Sequence, residues 1–300
     1  MTFCIAHRGG TGLRPENTLA AFRHGISIGA DGVELDVHLT SDGVVVVHHD
    51  ATLNPATTRE GGEFITERKP IGNLTYSALA PLDVGRRNSH HPYSKRHPKQ
   101  TPIDGEHIPT LDEVLDVLPE DRWLFAEIKS SVTEKIPLDE VDRLVTATLQ
   151  VLHRRDRLNK TVIMAFDWRA LNIARRTEPD CLCSYTTVPR GWIDGVLPAE
   201  HKGLPDSLLQ RMQELSVDPS VDWVGGVQRD GPSVLNRIAD LKGQLWTPYF
   251  RDVTPQTFAE AQSLGINVIP WTVDEPDDIT RLKSLGVWGI ISDRPDRLVS

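Results

Sequence analysis

An α/β fold of the closed (β/α)8 TIM-barrel class is predicted by three features of the sequence. Short apolar runs alternate with helical patterns along most of the chain, and this alternation calls for a parallel sheet whose strands are connected by helices. About eight strand–helix units suit the ~250 residues of a typical barrel, and the chain has 300 residues. No Gly-x-Gly-x-x-Gly loop is present, which disfavours a doubly wound open sheet.

The predicted strands are short apolar runs bounded by turn-forming or charged residues. Two of them, at 44–47 and 245–247, have the weakest claim to a place in the barrel. The first follows the turn Thr40-Ser41-Asp42-Gly43, which suits a hairpin, and the second is a weak apolar run. Strands are predicted at residues 3–6, 33–39, 44–47, 123–128, 161–166, 181–185, 221–224, 245–247, 267–273 and 287–292.

The predicted helices have apolar residues at helical spacing and capping residues at their starts. The first helix presents Leu19, Phe22 and Ile26 at that spacing. In the second, Thr110 is the N-cap and Glu113 stands three residues further on, which is the capping-box pattern. Helices are predicted at residues 17–28, 111–115, 138–153, 168–176, 207–215, 233–241, 255–264 and 276–285.

Residues 51–109 break the alternation of strands and helices. This stretch is rich in Pro, Gly, Asn, His and Arg, and its most basic part lies between residues 85 and 107. The chain shows neither an internal repeat nor a low-complexity linker. The simplest interpretation is therefore one catalytic barrel domain over residues 1–300, with a small inserted subdomain at 51–109 after the hairpin of the second strand.

Composition and charge limit the possible functions. Lys and Arg total 33 against 42 Asp and Glu, and the net charge of −9 argues against non-specific nucleic-acid binding. The N-terminus lacks the basic and apolar regions of a secretory signal, and no apolar run approaches a membrane span in length. A cytoplasmic location, a small-molecule substrate and no nucleic-acid partner are expected; the oligomeric state is left open.

The three cysteines, Cys4, Cys181 and Cys183, do not form a disulfide framework. Cys181 and Cys183 could be a redox or metal pair. Alternation along a strand places both on one face, however, and buried strand cysteines are the commoner explanation of such a pattern.

Charged, imidazole and aromatic side chains stand at or near the ends of several predicted strands. In a (β/α)8 barrel the chemistry sits at the end to which the strands point, so these side chains are expected to meet there. Glu34 and Asp36 are two residues apart and therefore point to the same side of their strand, as do Glu127 and Lys129. The candidate site residues found in this way are His7, Arg8, Glu34, Asp36, His49, Glu127, Lys129 and Trp271.

Glu34, Asp36 and Glu127 are the predicted metal ligands. Three carboxylates in one cleft repel one another, and a hard divalent cation with oxygen ligands is the usual remedy. Because all the ligands are oxygens, Mg²⁺ or Ca²⁺ is preferred over Zn²⁺, with Mn²⁺ as a further candidate. Arg8 and Lys129 supply donors for an anion such as phosphate. Lys129 could alternatively be a structural ion pair with Glu127.

His7 and His49 can divide the roles of general acid and general base, because the pKa of a histidine lies near neutrality. A metal site, two cations and this pair together indicate cleavage of a phosphoester. His38 shares the face of Glu34 and Asp36 and is equally consistent with a supporting or a rim position.

The order of the motifs resembles the glycerophosphodiester phosphodiesterase family, and the match reaches both ends of the chain. The resemblance implies a TIM barrel that hydrolyses glycerophosphodiesters to glycerol 3-phosphate and an alcohol with a divalent metal. It implies the site roles given above and adds Glu16, which would shape the site with Trp271. The motifs are His7-Arg8-Gly9, Pro15-Glu16-Asn17-Thr18, Glu34-Leu35-Asp36-Val37, Leu39-Thr40-x-Asp42-Gly43, His49-Asp50, Glu127-Ile128-Lys129, Trp271-Thr272-Val273 and Ser292-Asp293-Arg294-Pro295-Asp296.

The family resemblance further implies attack of the glycerol 2-hydroxyl on phosphorus, a route that suits a site without a Ser or Cys nucleophile. The chain departs from the family pattern at Asp274, where Asn is common, and in its long stretch 85–107. These departures concern the alcohol side of the substrate, so the head group is left open. The alternatives are a related phosphodiesterase acting on lysophospholipids or non-natural diesters, and a catalytically silent phosphodiester-binding protein.

Overall fold

Eight parallel strands form a nearly closed barrel in the computed structural model, which describes residues 1–130, 136–194, 210 and 233–299. Three further short strands lie in hairpins outside the barrel. The strands are β1 (Phe3–Ala6), β2 (Gly32–Leu39), β3 (Val45–Val47), β4 (Arg59–Glu60), β5 (Glu63–Phe64), β6 (Trp123–Ile128), β7 (Thr161–Ala165), β8 (Leu182–Thr186), β9 (Leu245–Thr247), β10 (Asn267–Val268) and β11 (Gly289–Ser292).

Helices connect the strands and cover the barrel. Within the described residues they are α1 (Leu19–Ser27), α2 (Tyr76–Leu79), α3 (Leu111–Val117), α4 (Leu138–Arg154), α5 (Trp168–Thr177), α6 (Arg190–Asp194), α7 (Val234–Asp240), α8 (Pro255–Ser263) and α9 (Pro276–Leu285).

The barrel strands follow the order β1, β2, β6, β7, β8, β9, β10, β11. The circle is completed in two places. β11 pairs in parallel with β1, with Ala6 opposite Ser292. Between β10 and β11 the Trp288 N–H donates to the Val268 carbonyl (3.0 Å) and the Ile291 N–H donates to the Pro270 carbonyl (3.0 Å). The predicted (β/α)8 TIM barrel is therefore confirmed.

Some predicted elements are confirmed and others change. The weak run 245–247 is β9, paired with both β8 and β10, so the reservation about its place in the barrel was wrong. The run 44–47 gives β3, which pairs antiparallel with β2 and lies off the barrel path. The predicted strand 267–273 shortens to β10, because Pro270 has no N–H to donate to a ladder. The predicted strand 221–224 and helix 207–215 lie outside the described residues.

Local sequence signals explain several helix ends. The Thr110 hydroxyl accepts the Glu113 N–H (3.2 Å), and a Glu113 carboxylate oxygen accepts the Thr110 N–H (2.8 Å), so the predicted capping box at α3 is present. At α1 the cap is Thr18, whose hydroxyl accepts the Ala21 N–H. α9 has the predicted bounds and begins with Pro276, where a proline costs no hydrogen bond.

Two apolar layers hold the barrel together. One fills its interior, and the larger one lies between the strands and the surrounding helices. At the end opposite the site, Trp288 packs against Phe3 and Trp123, with ring centroids 4.6 and 5.8 Å apart. Gly32 is required there, because a Cβ atom at this position would lie 2.6 Å from the Trp123 carbonyl oxygen.

The inserted segment forms a small apolar cluster together with Val46 of β3, and its irregular basic part reaches over the barrel mouth. We call residues 85–101 of this part the covering segment. Its Thr101 N–H donates to the Leu13 carbonyl (2.9 Å), and the Gln100 amide donates to the Thr11 carbonyl (2.6 Å). The apolar cluster consists of Val46, Leu53, Ile71, Leu79, Leu82, Val84 and Ile108.

In the part of the chain that the structure describes, the helices are too short or too polar to span a membrane.

Candidate active site

A cavity of about 480 Å³ opens at the C-terminal ends of the barrel strands. Seven of the sequence-predicted site residues line it. Its other walls come from the covering segment, from the region after β7 and β8, and from the last strand. The predicted residues that line it are His7, Arg8, Glu34, His49, Glu127, Lys129 and Trp271.

The carboxylates of Glu34, Asp36 and Glu127 lie close together; Glu34 and Glu127 line the cavity, and Asp36 does not. Their oxygens lie within 4.8 Å of one another, and the three residues are only 1, 1 and 8% exposed. The convergence follows from strand register: Asp36 and Glu127 are directly opposite each other in the β2–β6 pair, and Glu34 precedes Asp36 by two residues. Glu34 and Asp36 lie within β2 and not at its end, because the strand continues to Leu39 to pair with β3.

Three buried carboxylates this close together repel one another, and a bound cation would offset that repulsion. Burial, and then the charge of Asp36, raise the pKa of Glu34 to about 8. An all-oxygen set of buried acidic ligands is what a hard divalent cation binds. The residues present therefore fit such an ion chemically, and they are compatible with a divalent metal site.

Two cations border the acidic cluster. The Lys129 ammonium lies 2.8 Å from Glu127 Oε1 and 3.4 Å from Asp36 Oδ1. The Arg8 guanidinium lies 3.3 Å from Asp36 Oδ2 through Nε. Burial opposes ionisation of Asp36, but Lys129 and Arg8 outweigh it and hold the pKa of this carboxyl well below its usual range. Both cations also line the cavity, so each can meet an anion there.

The turn His7–Gly9 at the end of β1 sets the position of Arg8. Arg8 has φ of 49°, a left-handed conformation that non-glycine residues rarely adopt. Its backbone N–H donates to Glu34 Oε2 (3.0 Å), and its carbonyl accepts the Asn17 N–H (3.0 Å). Gly9 must be glycine, because a Cβ atom there would lie 2.7 Å from Ala21. This strained turn therefore joins the cation directly to the carboxylate cluster.

His7 is held by a carboxylate from the other end of the chain. Its Nδ1 lies 2.5 Å from Asp293 Oδ1, and its Nε2 lies 3.8 Å from Glu34 Oε2 on the cavity side. Burial opposes the charged imidazolium, but the negative charge of Asp293 outweighs it and raises the pKa of His7 to about 9. Asp293 also lies 3.6 Å from Nε2 of His97 in the covering segment.

His49 has an analogous arrangement. Its Nδ1 lies 2.8 Å from Asp50 Oδ1, and the other oxygen of Asp50 accepts the Asn54 amide (2.8 Å). Nε2 of His38 lies 3.3 Å from the His49 carbonyl oxygen. Burial, followed by the charges of Arg8 and Lys129, lowers the pKa of His49. Each histidine therefore has Nδ1 on a carboxylate, which leaves Nε2 for the cavity.

Glu16 does not line the cavity but braces the residues that do. Its Oε1 accepts from Arg8 Nη1 (2.9 Å), while Oε2 accepts from the Tyr93 hydroxyl (2.7 Å) and from Arg87 Nη2 (3.1 Å). Burial opposes its ionisation, but Arg8 and Arg87 lower the pKa of Glu16 to about 2. Glu16 thus connects the covering segment to Arg8.

The opposite wall of the cavity is apolar. Trp271 and Phe166 meet edge to face with centroids 5.5 Å apart. The Trp271 indole N–H donates to the Thr247 carbonyl (3.2 Å), which fixes the ring. Val188 and Trp192 extend the same wall. One side of the cavity is therefore charged and the other offers an aromatic surface.

Four residues that are not among the predicted site residues hold those residues in place. Asp50 and Asp293 orient the histidines, Tyr93 bonds to Glu16, and the Asn17 amide donates to Asp36 Oδ2 (2.8 Å). Asn17, Asp50 and Asp293 stand inside or beside motifs quoted from the sequence, so adjacency was a usable signal. Tyr93 lies in a segment without periodic pattern, which gave no signal.

The chain is similar to known proteins over nearly its whole length. A model of the "Glycerophosphoryl diester phosphodiesterase family" matches residues 7–297. A glycerophosphodiester phosphodiesterase of Caldanaerobacter subterraneus subsp. tengcongensis is 27% identical over 100% of this chain and 97% of its own length. Among solved structures, one from Silicibacter pomeroyi DSS-3, provisionally described as a glycerophosphoryl diester phosphodiesterase, has a TM-score of 0.83 and 34% identity, covering 99% of this chain and 92% of that one.

A second solved structure shares the fold at greater sequence distance. It is an Oleispira antarctica phosphodiesterase in complex with the product sn-glycerol-3-phosphate. Its TM-score is 0.68 at 21% identity, and the match covers 99% of this chain and 95% of that one.

Proposed function

Since the chain belongs to the glycerophosphoryl diester phosphodiesterase family and is therefore a phosphoric diester hydrolase, we propose that it cleaves glycerophosphodiesters with a bound divalent cation and a histidine pair. The products would be glycerol 3-phosphate and an alcohol. The observation that carries the proposal is a cluster of three buried carboxylates, two of which line the cavity beside two carboxylate-bound histidines. The product bound to the Oleispira antarctica phosphodiesterase has the same chemistry as the product proposed here.

Glu34, Asp36 and Glu127 would hold the cation, which we expect to be Mg²⁺ or Ca²⁺, with Mn²⁺ as a third candidate. When bound, such an ion withdraws electron density from phosphate oxygens and offsets charge that develops on them. Lys129 and Asn17 keep the Asp36 carboxylate in position through contacts of 3.4 and 2.8 Å. Arg8 and Lys129 would donate to the phosphate oxygens that face the cavity.

His7 and His49 would divide the proton transfers. Each is held at Nδ1 by a carboxylate, so each can present Nε2 to the substrate and take or give a proton there. One removes the proton of the attacking hydroxyl, and the other protonates the leaving alcohol oxygen. Asp293 and Asp50 hold the rings in place for this task and offset the charge of the imidazolium that forms.

The nucleophile in the first step would be the glycerol 2-hydroxyl, which gives a cyclic phosphate that water then opens. A hydroxyl already attached near phosphorus gains the advantage of proximity. Diesters without a vicinal hydroxyl should therefore be poor substrates. Methyl or aryl phosphodiesters lacking that hydroxyl, cleaved as fast as glycerophosphocholine, would exclude the internal attack while leaving the hydrolase assignment intact.

The apolar wall favours a second candidate substrate class. Phe166, Val188, Trp192 and Trp271 offer surface that an acyl chain or other apolar group could cover. A phosphodiesterase acting on lysophospholipids, or on non-natural diesters with apolar alcohols, would use this wall for its leaving group. The same catalytic residues would serve either substrate class, so comparing substrates distinguishes the two.

The inserted segment would act as part of this single catalytic domain. Tyr93, Arg96 and His97 of the covering segment line the cavity together with barrel residues. We therefore expect residues 51–109 to contribute to substrate binding and not to form a separate functional unit.

The decisive experiment measures release of glycerol 3-phosphate from a panel of glycerophosphodiesters and lysophospholipids with Mg²⁺, Ca²⁺, Mn²⁺ or EDTA. Wild type is compared with His7→Ala, Glu127→Gln and His153→Ala. His153 is a matched control, since its side chain is 74% exposed at the end of α4. We expect EDTA, His7→Ala and Glu127→Gln to abolish most turnover and His153→Ala to preserve it. Binding without turnover under any metal would instead identify a silent phosphodiester-binding protein.

A further inference from the structure

Two cysteines lie together at the end of the barrel opposite the candidate active site. Cys183 is in β8 and Cys181 immediately precedes that strand, so both side chains fall on the same face. Their sulfur atoms are 3.5 Å apart. Thr186, at the other end of β8, lines the active-site cavity, so the full length of the strand separates the cysteines from the catalytic residues.

The two cysteines differ in exposure. Both line a cleft of about 260 Å³, but Cys181 is half-buried, whereas Cys183 is only 6% exposed. The same cleft is bordered by Arg175 and Lys242, with Asp180 at its edge. The cleft therefore combines a half-buried thiol, a second and more deeply buried thiol, and a surplus of positive charge.

The surroundings shift the pKa values of the two thiols in opposite directions. The hydrogen bond from Cys183, together with the positive charge of Arg175, lowers the pKa of Cys181, although burial opposes this. The bond to Cys181 and burial raise the pKa of Cys183. Two thiols 3.5 Å apart, of which the more exposed one has the lowered pKa, form an arrangement in which one cysteine can attack and the other can resolve.

We propose that Cys181 and Cys183 form a redox-active thiol pair, which a low-molecular-weight disulfide such as glutathione disulfide converts reversibly to an intramolecular disulfide. The Cys181 thiolate attacks one sulfur of the small disulfide, forms a mixed disulfide and expels one thiolate. Cys183 then loses its proton and attacks the Cys181 sulfur, which expels the second thiolate. Two protein thiols become one disulfide, one small disulfide becomes two thiols, and no other oxidant is required.

The geometry explains why this bond would form and also why it would remain easy to reduce. Residues two apart in an extended strand have Cα atoms about 6.6 Å apart, at the upper end of the roughly 4.4–6.8 Å that disulfides span. Cys181 lies outside the ladder, whose first residue in β8 is Leu182 opposite Val162. The two sulfurs are already 3.5 Å apart, but the resulting bond would be strained, and strained disulfides are readily reduced.

The third cysteine provides an internal control. Cys4 is only 3% exposed, and its thiol contacts the Pro295 carbonyl (3.7 Å). Burial, and then the nearby charge of Asp31, raise the pKa of Cys4 to about 12. Cys4 should therefore remain a thiol under conditions that oxidise the pair.

The test is intact mass spectrometry of the folded, full-length protein after incubation with glutathione disulfide, followed by alkylation with and without dithiothreitol. We expect wild type and Cys4→Ser to lose two hydrogens, to protect two thiols from alkylation and to recover both with dithiothreitol. Cys183→Ser should stop at a single glutathione adduct on Cys181. Cys181→Ser should form neither a glutathione adduct nor an intramolecular disulfide. Thermal unfolding and hydrolase activity verify that each variant is folded.

Three outcomes would overturn the proposal. They are a wild-type protein that stays unmodified, one that stops at the mixed disulfide, and one in which Cys4 reacts first. If Cys183→Ser fails to fold, Cys183→Ala tests the same step, since it also removes the resolving thiol from a position that is 6% exposed.

Discussion

Replacing Asp274 by asparagine should stabilise this protein at neutral pH. The side chain lies behind the active site, where one carboxylate oxygen, Oδ1, accepts both the Ser292 hydroxyl (3.0 Å) and the Asp293 N–H (2.9 Å). Burial, and then the charge of Asp293, raise the pKa of Asp274 to about 6. An asparagine carbonyl can accept both bonds without bringing a negative charge next to Asp293.

The direction and size of the effect follow from linkage. In the folded protein the Asp274 carboxyl keeps its proton up to about pH 6, whereas in the unfolded chain it loses the proton near its ordinary value of 3.8. The folded state thus binds more protons over that interval, and its free energy of unfolding decreases as the pH rises through it. At 1.36 kcal/mol per pH unit the full penalty is about 3 kcal/mol. Asp274→Asn removes this penalty, so its advantage should be complete above pH 6 and absent below pH 4.

The measurement is urea unfolding of wild type and Asp274→Asn from pH 3.5 to 8, followed by fluorescence of the buried tryptophans. Asp121→Asn is the control, because the Asp121 side chain is 74% exposed and its replacement should leave the pH dependence unchanged. The reasoning is refuted if Asp274→Asn is less stable than wild type at pH 7, or if the difference between them does not change with pH. Turnover of the variant should persist, because Asp274 does not line the cavity.

Four further substitutions test other contacts. His49→Ala should lower kcat by about 10²–10⁴-fold. Asp50→Ala should lower kcat less, because Asp50 acts by orienting the His49 ring. Equal kcat in wild type and Asp50→Ala would contradict this role. Thr110→Ala should reduce the free energy of unfolding by about 1 kcal/mol through loss of the α3 cap, which urea denaturation measures. Tyr93→Phe should reduce the free energy of unfolding by roughly 1.5–3 kcal/mol, because a part-buried hydrogen bond to the Glu16 carboxylate is lost. An unchanged thermal midpoint would show that the stability of the protein does not depend on this bond.

The carboxylate cluster was predictable because strand geometry alone determines it. Alternation places Glu34 and Asp36 on one face, and neighbouring parallel strands bring Glu127 opposite Asp36 without any long-range information beyond the order of strands. The capping box at Thr110 was predictable for the same reason, since all of its atoms lie within four consecutive residues.

Contacts that depend on closure of the barrel, or on irregular chain, could not be predicted in this way. Asp293 reaches His7 only because β11 pairs with β1. Tyr93 lies in a stretch whose path is set by side-chain contacts to Glu16, and no periodic pattern encodes such a path. The three-residue strand β9 was also underestimated, because its stability comes from pairing with β8 on one side and β10 on the other, and not from its own length.

The contact between His7 and Asp293 also determines when during synthesis the active site can be completed. The two residues are 286 positions apart, and they directly follow β1 and β11, the first and the last strands of the barrel. During synthesis β1 therefore has an unpaired edge until β11 has left the ribosome. Nascent chains that end before residue 289 would carry every predicted metal ligand and both histidines, yet they would lack the strand that orients His7. Hydrolase activity should thus appear abruptly once β11 and Asp293 have been translated, and not in proportion to chain length.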